Sequence, residues 1–434
     1  MWLAQVTSVT GDQLARVALT VLVYDRTRSA LLAAITFAVS IVPMFLGGIF
    51  LAGIGDRLPR RAVMVSCDVT RTVLVMLMVL PHMPVAALVV LLFVVTFLEA
   101  PFRSARAAIY PDVLPGELFT LGQTVSMTTY QAAQVCGFAA GGVIVGAVGT
   151  RTALIVDAAT FAVSAILVRT GVREHAPSDG ANQKRDRPRP VADARAGASL
   201  VFRTPALRTP MLLGWIAAFY NVPEGIAAPI AHATHGGTRA VGVILAAGAL
   251  GGTVGNVAFS RLVPPARRAV LMAPCAACCC ATLALFAFRP DLVVTVLILT
   301  GSGLLGGYQS AASATFVAAT PSGHRAQAFG LAQGGMNLGQ GIAMVVAGAI
   351  ATYFSPLAVI AVTGVAGTAT AIAIAMGNPD RVRLPACLAH FAPPSGLLAS
   401  IVSRPRRAQP PPDTTSRENI GKIQITPVTI SNIA

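Results

Sequence analysis

Long apolar runs, each near twenty residues and separated by short charged segments, constrain this chain more than any other feature. An α-helix rises about 1.5 Å per residue, so roughly twenty apolar residues span the ~30 Å hydrocarbon layer of a bilayer. Two such runs, Ser29 to Ile54 and Ala62 to Leu80, flank the segment Ala52-Gly-Ile-Gly-Asp-Arg-Leu-Pro-Arg-Arg-Ala62. A link this short joins two spans on one face of a membrane. Cytoplasmic loops carry an excess of Lys and Arg, so Arg57, Arg60 and Arg61 put this loop inside.

Composition agrees. The chain is 55% hydrophobic and 11% charged, with a mean hydropathy of +0.70, whereas soluble domains carry about 25% charged residues. Its 434 residues leave room for roughly twelve spanning helices plus loops. The net charge of +15 would point to nucleic acid in a soluble protein, but here the arginines sit in short loops and a tail, as membrane topology requires. Nucleic acid is therefore excluded as a partner, and the lipid bilayer takes its place. Cys275, Cys278, Cys279 and Cys280 lie inside an apolar run with no second pair and no nearby His, which reads as small packing residues rather than a disulfide framework or metal site. With no His-rich cluster, Cys/His pair or phosphate-cradling loop, the sequence argues against an enzyme or an ATP-driven pump and implies no cofactor. Met1-Trp2 leads straight into the first span without a basic n-region, so insertion relies on that span.

The first span, Leu3 to Tyr24, carries Asp12, Gln13 and Arg16. With the N-terminus inside, Asp12 lies roughly 17 Å from the cytoplasmic end, near mid-membrane, where an ionisable group costs at least ~2.5 kcal/mol and usually serves function. Asp12 and Arg16 share a helical face and could pair, so a structural ion pair and a cavity-facing functional acid are both open. The third span holds Asp68 and Arg71, and the fourth, Val85 to Ala108, holds Glu99 and Arg103. With Asp56, Arg57 and Arg106 they form an alternating charge network at the inner mouth, either a gate whose ion pairs separate in one state or a structural network. The fifth span, Phe119 to Val148, combines Gln131 and Gln134 with Gly137, Gly141, Gly142 and Gly146, whose spacing of four lets helices approach closely. The sixth, Arg151 to Arg169, has Asp157 in its outer third.

Composition then shifts. Residues 171–209 form a basic, Pro-interrupted cytoplasmic linker, residues 1–170 before it a six-helix half, 210–376 a second six-helix half, and 377–434 a cytoplasmic, disordered tail. The halves echo each other: Asp56-Arg-Leu-Pro-Arg-Arg-Ala-Val63 returns loosely as Ser260 to Val270, and Phe119-x-Leu-x-Gln123 as Phe329-x-Leu-x-Gln333. Two copies of a six-span unit would face each other across a central cavity. In the seventh span, Tyr220-Asn-Val-Pro-Glu-Gly225 puts Glu224 at membrane depth beside Pro223, which interrupts the helix. A broken helix bearing an acid there points to a binding site, with a packed, neutral Glu as the alternative. Tyr220 and Asn221, and further on Tyr308, Gln309, Asn337 and Gln340, add candidate cavity lining. Arginines crowd the loops on one face, which places both termini inside.

The Asp56 loop resembles the Gly-x-x-x-Asp-Arg-x-Gly-Arg-Arg pattern between the second and third spans of the major facilitator superfamily. Asp56, Arg57, Arg60 and Arg61 match, while Ala52 and Pro59 stand where the pattern has glycine. Gly137-Phe-Ala-Ala-Gly141-Gly142 is partially similar to the Gly-Pro-x-x-Gly-Gly of drug:proton antiporters, with Phe138 in place of the proline. The order of Ser8-x-x-Gly11-Asp12-Gln13, Tyr24-x-x-Thr27-x-Ser29, the Asp56 loop, Asp68-x-x-Arg71 and Pro101-x-Arg103-x-x-Arg106 resembles the macrolide-efflux and siderophore-export branch. The resemblance covers Met1 to Met376. It implies an all-α membrane protein with the major facilitator fold, working as a monomer and exporting a small, fairly apolar substrate by alternating access, coupled to protons. Asp12 and Glu224 are the coupling candidates, with Arg16, Gln131, Gln134, Tyr220 and Asn221 beside them. An importer of a metabolite or nutrient on the same fold is the rival reading, and a non-transporting polytopic receptor a weaker one. Arginine far outnumbers lysine and Ala, Gly and Val abound, as in GC-rich bacterial genomes, which suggests the bacterial inner membrane.

Overall fold

The computed structural model of the chain describes residues 2–43, 47, 59–113, 117–172, 199, 201–321 and 325–377, leaving out the side chains at 108, 110–121, 123 and 325–327. Among the described residues every regular element is helical. The first part contains α1 (Trp2–Thr27), α2 (Ala30–Val39), α3 (Arg60–Met78), α4 (Val85–Phe97), α5 (Glu99–Val113) and α6 (Glu117–Gly171). The second part contains α7 (Pro205–Trp215), α8 (Ala217–Tyr220), α9 (Val222–Gly225), α10 (Ala227–Ala233), α11 (Gly237–Leu262) and α12 (Pro265–Leu283). It continues with a 3-10 turn (Ala284–Phe288), α13 (Leu292–Leu305), α14 (Tyr308–Ala319), α15 (Arg325–Ile350) and α16 (Pro356–Met376). Asp56 and Arg57, most of the linker and the tail lie outside the described residues.

The breaks have local causes. α6 holds two spans folded at Gly149, whose φ of 86° suits a residue without Cβ. α4 gives way to α5 at Leu98, because Pro101 clashes with the carbonyl of Phe97 four residues back. Pro223 and Pro229 similarly cut the seventh span into α8, α9 and α10, as expected beside Glu224. The seventh span starts earlier than Pro210. Thr204 precedes Pro205 at the first helical turn, where a missing N–H is harmless, and Val201, Leu207 and Met211 pack with Phe316 and Ala328.

Among the described residues six helices are long and apolar enough to cross a membrane: Val85–Ala107, Thr124–Gly171, Gly237–Leu262, Pro265–Phe288, Leu292–Ala319 and Pro356–Met376. α1 and α15 are not among them, because they carry Asp12 and Arg16, and Gln333, Asn337 and Gln340. Val90, Ile166, Leu297, Val362 and Val365 are 60–68% exposed. In water each would forgo about 1.5–3 kcal/mol of burial, whereas lipid tails are as apolar as the side chains themselves.

Packing differs between the two ends of the bundle. Where α1 ends and α2 begins, one apolar core joins both parts: Leu19, Phe37, Val75, Leu88, Val145 and Leu154 pack in a single cluster with Ile226, Ile230, Val241, Leu283, Phe286 and Leu357. At the other end the cores separate. Ala4, Met64, Phe102, Ile109 and Val168 form one within the first part, and Leu207, Met211, Phe316 and Ala328 another within the second. The joined end depends on missing side chains. A Cβ on Gly142 of α6 would lie 2.7 Å from Cα of Gly242 and 2.8 Å from the Arg239 carbonyl on α11, and one on Gly348 of α15 would strike Ala34 of α2. Gly137 and Gly141 let α1 approach as their spacing predicted, a Cβ on Gly137 falling 2.8 Å from Gln13 Cβ.

Backbone atoms oppose any side chain at Gly142, so Gly142→Val should cost about 1–3 kcal/mol through overpacking. Gly330→Ala, whose new Cβ meets nothing within 4 Å, should be neutral or slightly stabilising. Thermal unfolding of the purified protein checks both; equal melting temperatures for Gly142→Val and wild type would mean that this end is not closed in solution.

Candidate functional site

The separated cores leave a cleft. A cavity of about 430 Å³ lies between the two parts, lined by Arg16, Ser40, Arg103, Arg106, Tyr130 and Gln134 on one side and by Asn221, Glu224, Gln333, Asn337 and Gln340 on the other. A side pocket of about 190 Å³ branches from it, sharing Gln134, Asn221 and Glu224 and adding Gln131, Tyr220, Asn256 and Gln309. Its far wall is backbone, made by Gly248, Gly252, Gly303 and Gly306. Amides and phenols both donate and accept, so this lining can recognise hydroxyl, amide or amine groups without fixing a charge.

Glu224 reaches this site because of the broken helix. α9 is one turn long, and with the break before it places Tyr220, Asn221, Pro223 and Glu224 on the side pocket while burying Val222 and Gly225. Gln309 Nε2 donates to the Tyr220 hydroxyl at 2.9 Å and to the Gly214 carbonyl at 2.8 Å, which fixes the phenol. Among the described residues Glu224 has no hydrogen-bonding or ion-pair partner, and it is the single carboxylate on the lining of either cavity. An acid without a partner at the junction of two parts is available to a ligand or a proton.

The charges of the first part are organised inward. Arg71 of α3 is 2% exposed, and its Nη2 donates to Asp12 Oδ1 at 2.9 Å. Asp68, one turn before Arg71, has an oxygen 3.9 Å from its Nη1 and accepts from Ser164 Oγ at 2.6 Å. The guanidinium lies 4.0 Å above the Phe161 ring, a cation–π contact of the kind that strengthens when desolvated. On α5, Arg103 donates through Nε to Glu99 Oε1 at 2.7 Å and lies 5.3 Å over the Tyr130 ring.

Of the two readings left open for Asp12, a structural pair with Arg16 does not form. Arg71 takes Asp12, and Arg16 Nη2 donates instead to the Ser40 carbonyl at 3.0 Å, because the neighbouring helices offer each group a better-aligned partner than its own helix does. Asp12 consequently lies behind the cavity wall, in a small pocket of about 20 Å³ with Arg16, Arg71, Glu99 and Asp157. Asp68, Arg71, Glu99 and Arg103 link α1, α3, α5 and α6 within the first part rather than standing as a surface chain. Arg60 and Arg61 begin α3. Arg16, Gln131, Gln134, Tyr220, Asn221 and Glu224 do meet at the two cavities, as do Gln309, Asn337 and Gln340. Tyr308 does not; it is wholly buried, and its hydroxyl donates to the Leu213 carbonyl at 2.9 Å. Asp157, expected in the outer third, lies level with Gly11 and so with Asp12. Its signal was simply an acid inside an apolar span.

Removing Arg71 leaves Asp12 and Asp68 buried without their cation. Arg71→Ala should therefore cost about 3–5 kcal/mol, and Arg71→Ala combined with Asp12→Asn should recover a good part of it. Thermal unfolding of the single and double variants checks this. A single variant as stable as wild type would remove Arg71 as the organising charge.

The family model of the Major Facilitator Superfamily matches residues 1–304 and 225–406. No curated protein matches the sequence. Among solved structures, the nucleoside transporter NupG is 14% identical, with 86% of this chain and 98% of that one covered and a TM-score of 0.63. A bacterial homolog of the human lysosomal transporter Spinster, in an inward-facing and unoccupied conformation, is 16% identical, covering 87% and 94%, with a TM-score of 0.60. A POT family transporter in complex with 5-aminolevulinic acid is 10% identical, covering 87% and 95%, with a TM-score of 0.69. At such identities these structures share the fold with this chain. A family match over most of the sequence, a helical bundle of membrane-spanning character and a polar cavity between its two parts lead to one conclusion: the chain belongs to the Major Facilitator Superfamily and is a multi-pass membrane transporter of small molecules.

Proposed function

We propose that this transporter is a proton-coupled exporter of the bacterial inner membrane that works as a monomer by alternating access. Residues 1–170 and 210–376 are its two moving halves, and 171–209 their cytoplasmic linker. The observation that carries this reading is Glu224, among the described residues the one carboxylate of the cavity lining and without a hydrogen-bonding or ion-pair partner, on a broken helix where both halves meet. A carboxyl group so placed can exchange a proton with the cavity and change its charge without losing a structural partner, which is what coupling requires. With the N-terminus inside, as the arginine distribution argues, the end where the cores separate is cytoplasmic and the cleft is inward-facing. A compound would then be loaded from the cytoplasm and released once the joined end opens.

The substrate is a small molecule of the multidrug or macrolide type, with an apolar body that also carries hydrogen-bonding groups, since the lining is richer in amides than a purely apolar compound would use. That same lining supports the second reading, proton-coupled uptake of a polar metabolite or nutrient. The gate role of Asp56, Arg57, Arg60, Arg61, Asp68, Arg71, Glu99 and Arg103 remains part of the proposal, and burial of Asp68 and Arg71 makes them the fixed end of the network.

Cells expressing the wild type should accumulate less of at least one compound from a panel of dyes and macrolides than cells with empty vector. A protonophore should erase that difference, and so should Glu224→Gln inserted at the wild-type level. Accumulation that rises with expression would replace export by import. Export that persists in the presence of the protonophore would remove proton coupling.

A further inference from the structure

Asp157 is used by nothing described so far. It is 1% exposed, and its Oδ1 has no hydrogen-bond partner among the described residues. That oxygen faces α1, where a Cβ on Gly11 would fall 2.6 Å from it. The neighbouring Thr160 hydroxyl donates at 2.7 Å to the backbone carbonyl of Asp157, and that proton serves the main chain.

Every cation near Asp157 is committed elsewhere. The charged groups that share its pocket are Asp12 and Arg16 on α1, Arg71 on α3 and Glu99 on α5. Arg71 bonds Asp12, Arg103 bonds Glu99, and Arg16 bonds the Ser40 carbonyl; Asp157 has no ion pair with any of them. A buried carboxylate oxygen with no donor, in a group that no cation pairs directly, is costly to hold charged, and binding a proton removes the charge. The pocket it lines, about 20 Å³, has room for about one water molecule. Arg16 and Ser40 line both this pocket and the central cavity, so their hydrogen bond is the partition between the two.

We propose that Asp157 is a proton-binding site of this transporter, loaded from the central cavity through the Arg16–Ser40 partition and held in the water-sized pocket beside Asp12. The inference rests on the proton-coupled reading but assigns a second site, distinct from Glu224. In the step itself a proton leaves a hydronium ion in the cavity, and a lone pair of the Asp157 carboxylate takes it to form the neutral acid; release reverses this. No other bond changes.

The purified full-length protein in detergent micelles, weakly buffered, is titrated between about pH 5 and about pH 9, a window that brackets buried carboxyl groups. Released protons are counted with an indicator dye, and the carboxylic-acid C=O stretch is followed by infrared spectroscopy. Wild type should release one proton more than Asp157→Asn. Its acid band should vanish in Asp157→Asn, shift in Asp157→Glu and persist in Glu224→Gln. The Asp157→Glu shift answers the question even if Asp157→Asn does not fold. Identical titrations and an unchanged band would overturn the proposal, as would loss of the band in Asp12→Asn with Asp157 intact. Proton release that depends on sodium rather than choline chloride would reassign the pocket to a sodium ion. An intact band alongside protonophore-insensitive transport would remove the coupling reading and leave this site standing. Protonophore-sensitive export without the band would do the reverse.

Discussion

A guanidinium inside a membrane-spanning bundle dictates much of what surrounds it. Arg71 cannot lose its proton, and its side chain is 2% exposed, so the neighbouring helices must supply its counter-charge. Asp12 comes from α1 and Asp68 from one turn earlier on α3, and Phe161 of α6 covers the cation's face. Ser164 then satisfies the other oxygen of Asp68. Three helices are thereby held in one register by a single side chain, and Gly11 is small because α6 must come close enough for this to happen. Lysine would not serve. Its point charge lacks the planar fork that reaches two acids and stacks on a ring.

A rigid first part of this kind suits a mechanism in which the halves move as bodies. The apolar core continuous across both parts lies at one end of the bundle, and each part keeps its own core at the other. Closing the separated end and opening the joined one would exchange contacts between halves without unpacking either. Besides this apolar core, the joined end has glycine-to-backbone and glycine-to-alanine contacts, at Gly142 with Gly242 and at Gly348 with Ala34. Such close glycine contacts are apolar packing rather than directional bonds, and can separate with little loss of specific interaction.

The fold was legible where a pattern is repeated. Span order, the kink beside Glu224 and the close approach at Gly137 and Gly141 follow from apolar length, proline chemistry and glycine spacing, which are local. Legibility failed where partners lie far apart in sequence. Asp12 and Arg16 share a helical face, and nothing in the sequence says that Arg71, 59 residues away, is the better partner. Tyr308 shows the same limit: a tyrosine in a spanning helix looks like cavity lining, yet its hydroxyl donates to the Leu213 carbonyl in the last turn of α7, which also accepts from the Ile216 N–H. Asp157 was visible as an acid in an apolar span, but its importance lies in the partners it lacks. Helices α1 and α15 teach the converse, since the polar residues that build the cavity are what make them poor spans by composition.

The geometry also ties movement of the halves to the charges of the first part. Ser40, whose carbonyl holds Arg16, caps the described end of α2 with its own N–H bonded back to Phe37 and Ala38. Two residues further on, Val42 meets α15 of the other half, where a Cβ on Gly341 would lie 2.5 Å from its Cγ2. Gly341 directly follows Gln340, which lines the cavity. Any rocking of α15 against α2 therefore presses on the residues that position the Ser40 carbonyl, and through it on Arg16. Were that bond to lengthen, the guanidinium would be freed toward the cavity and the proposed partition in front of Asp12 and Asp157 would open. A helix end suits such a link, because there a carbonyl can serve a side-chain donor from a neighbouring helix.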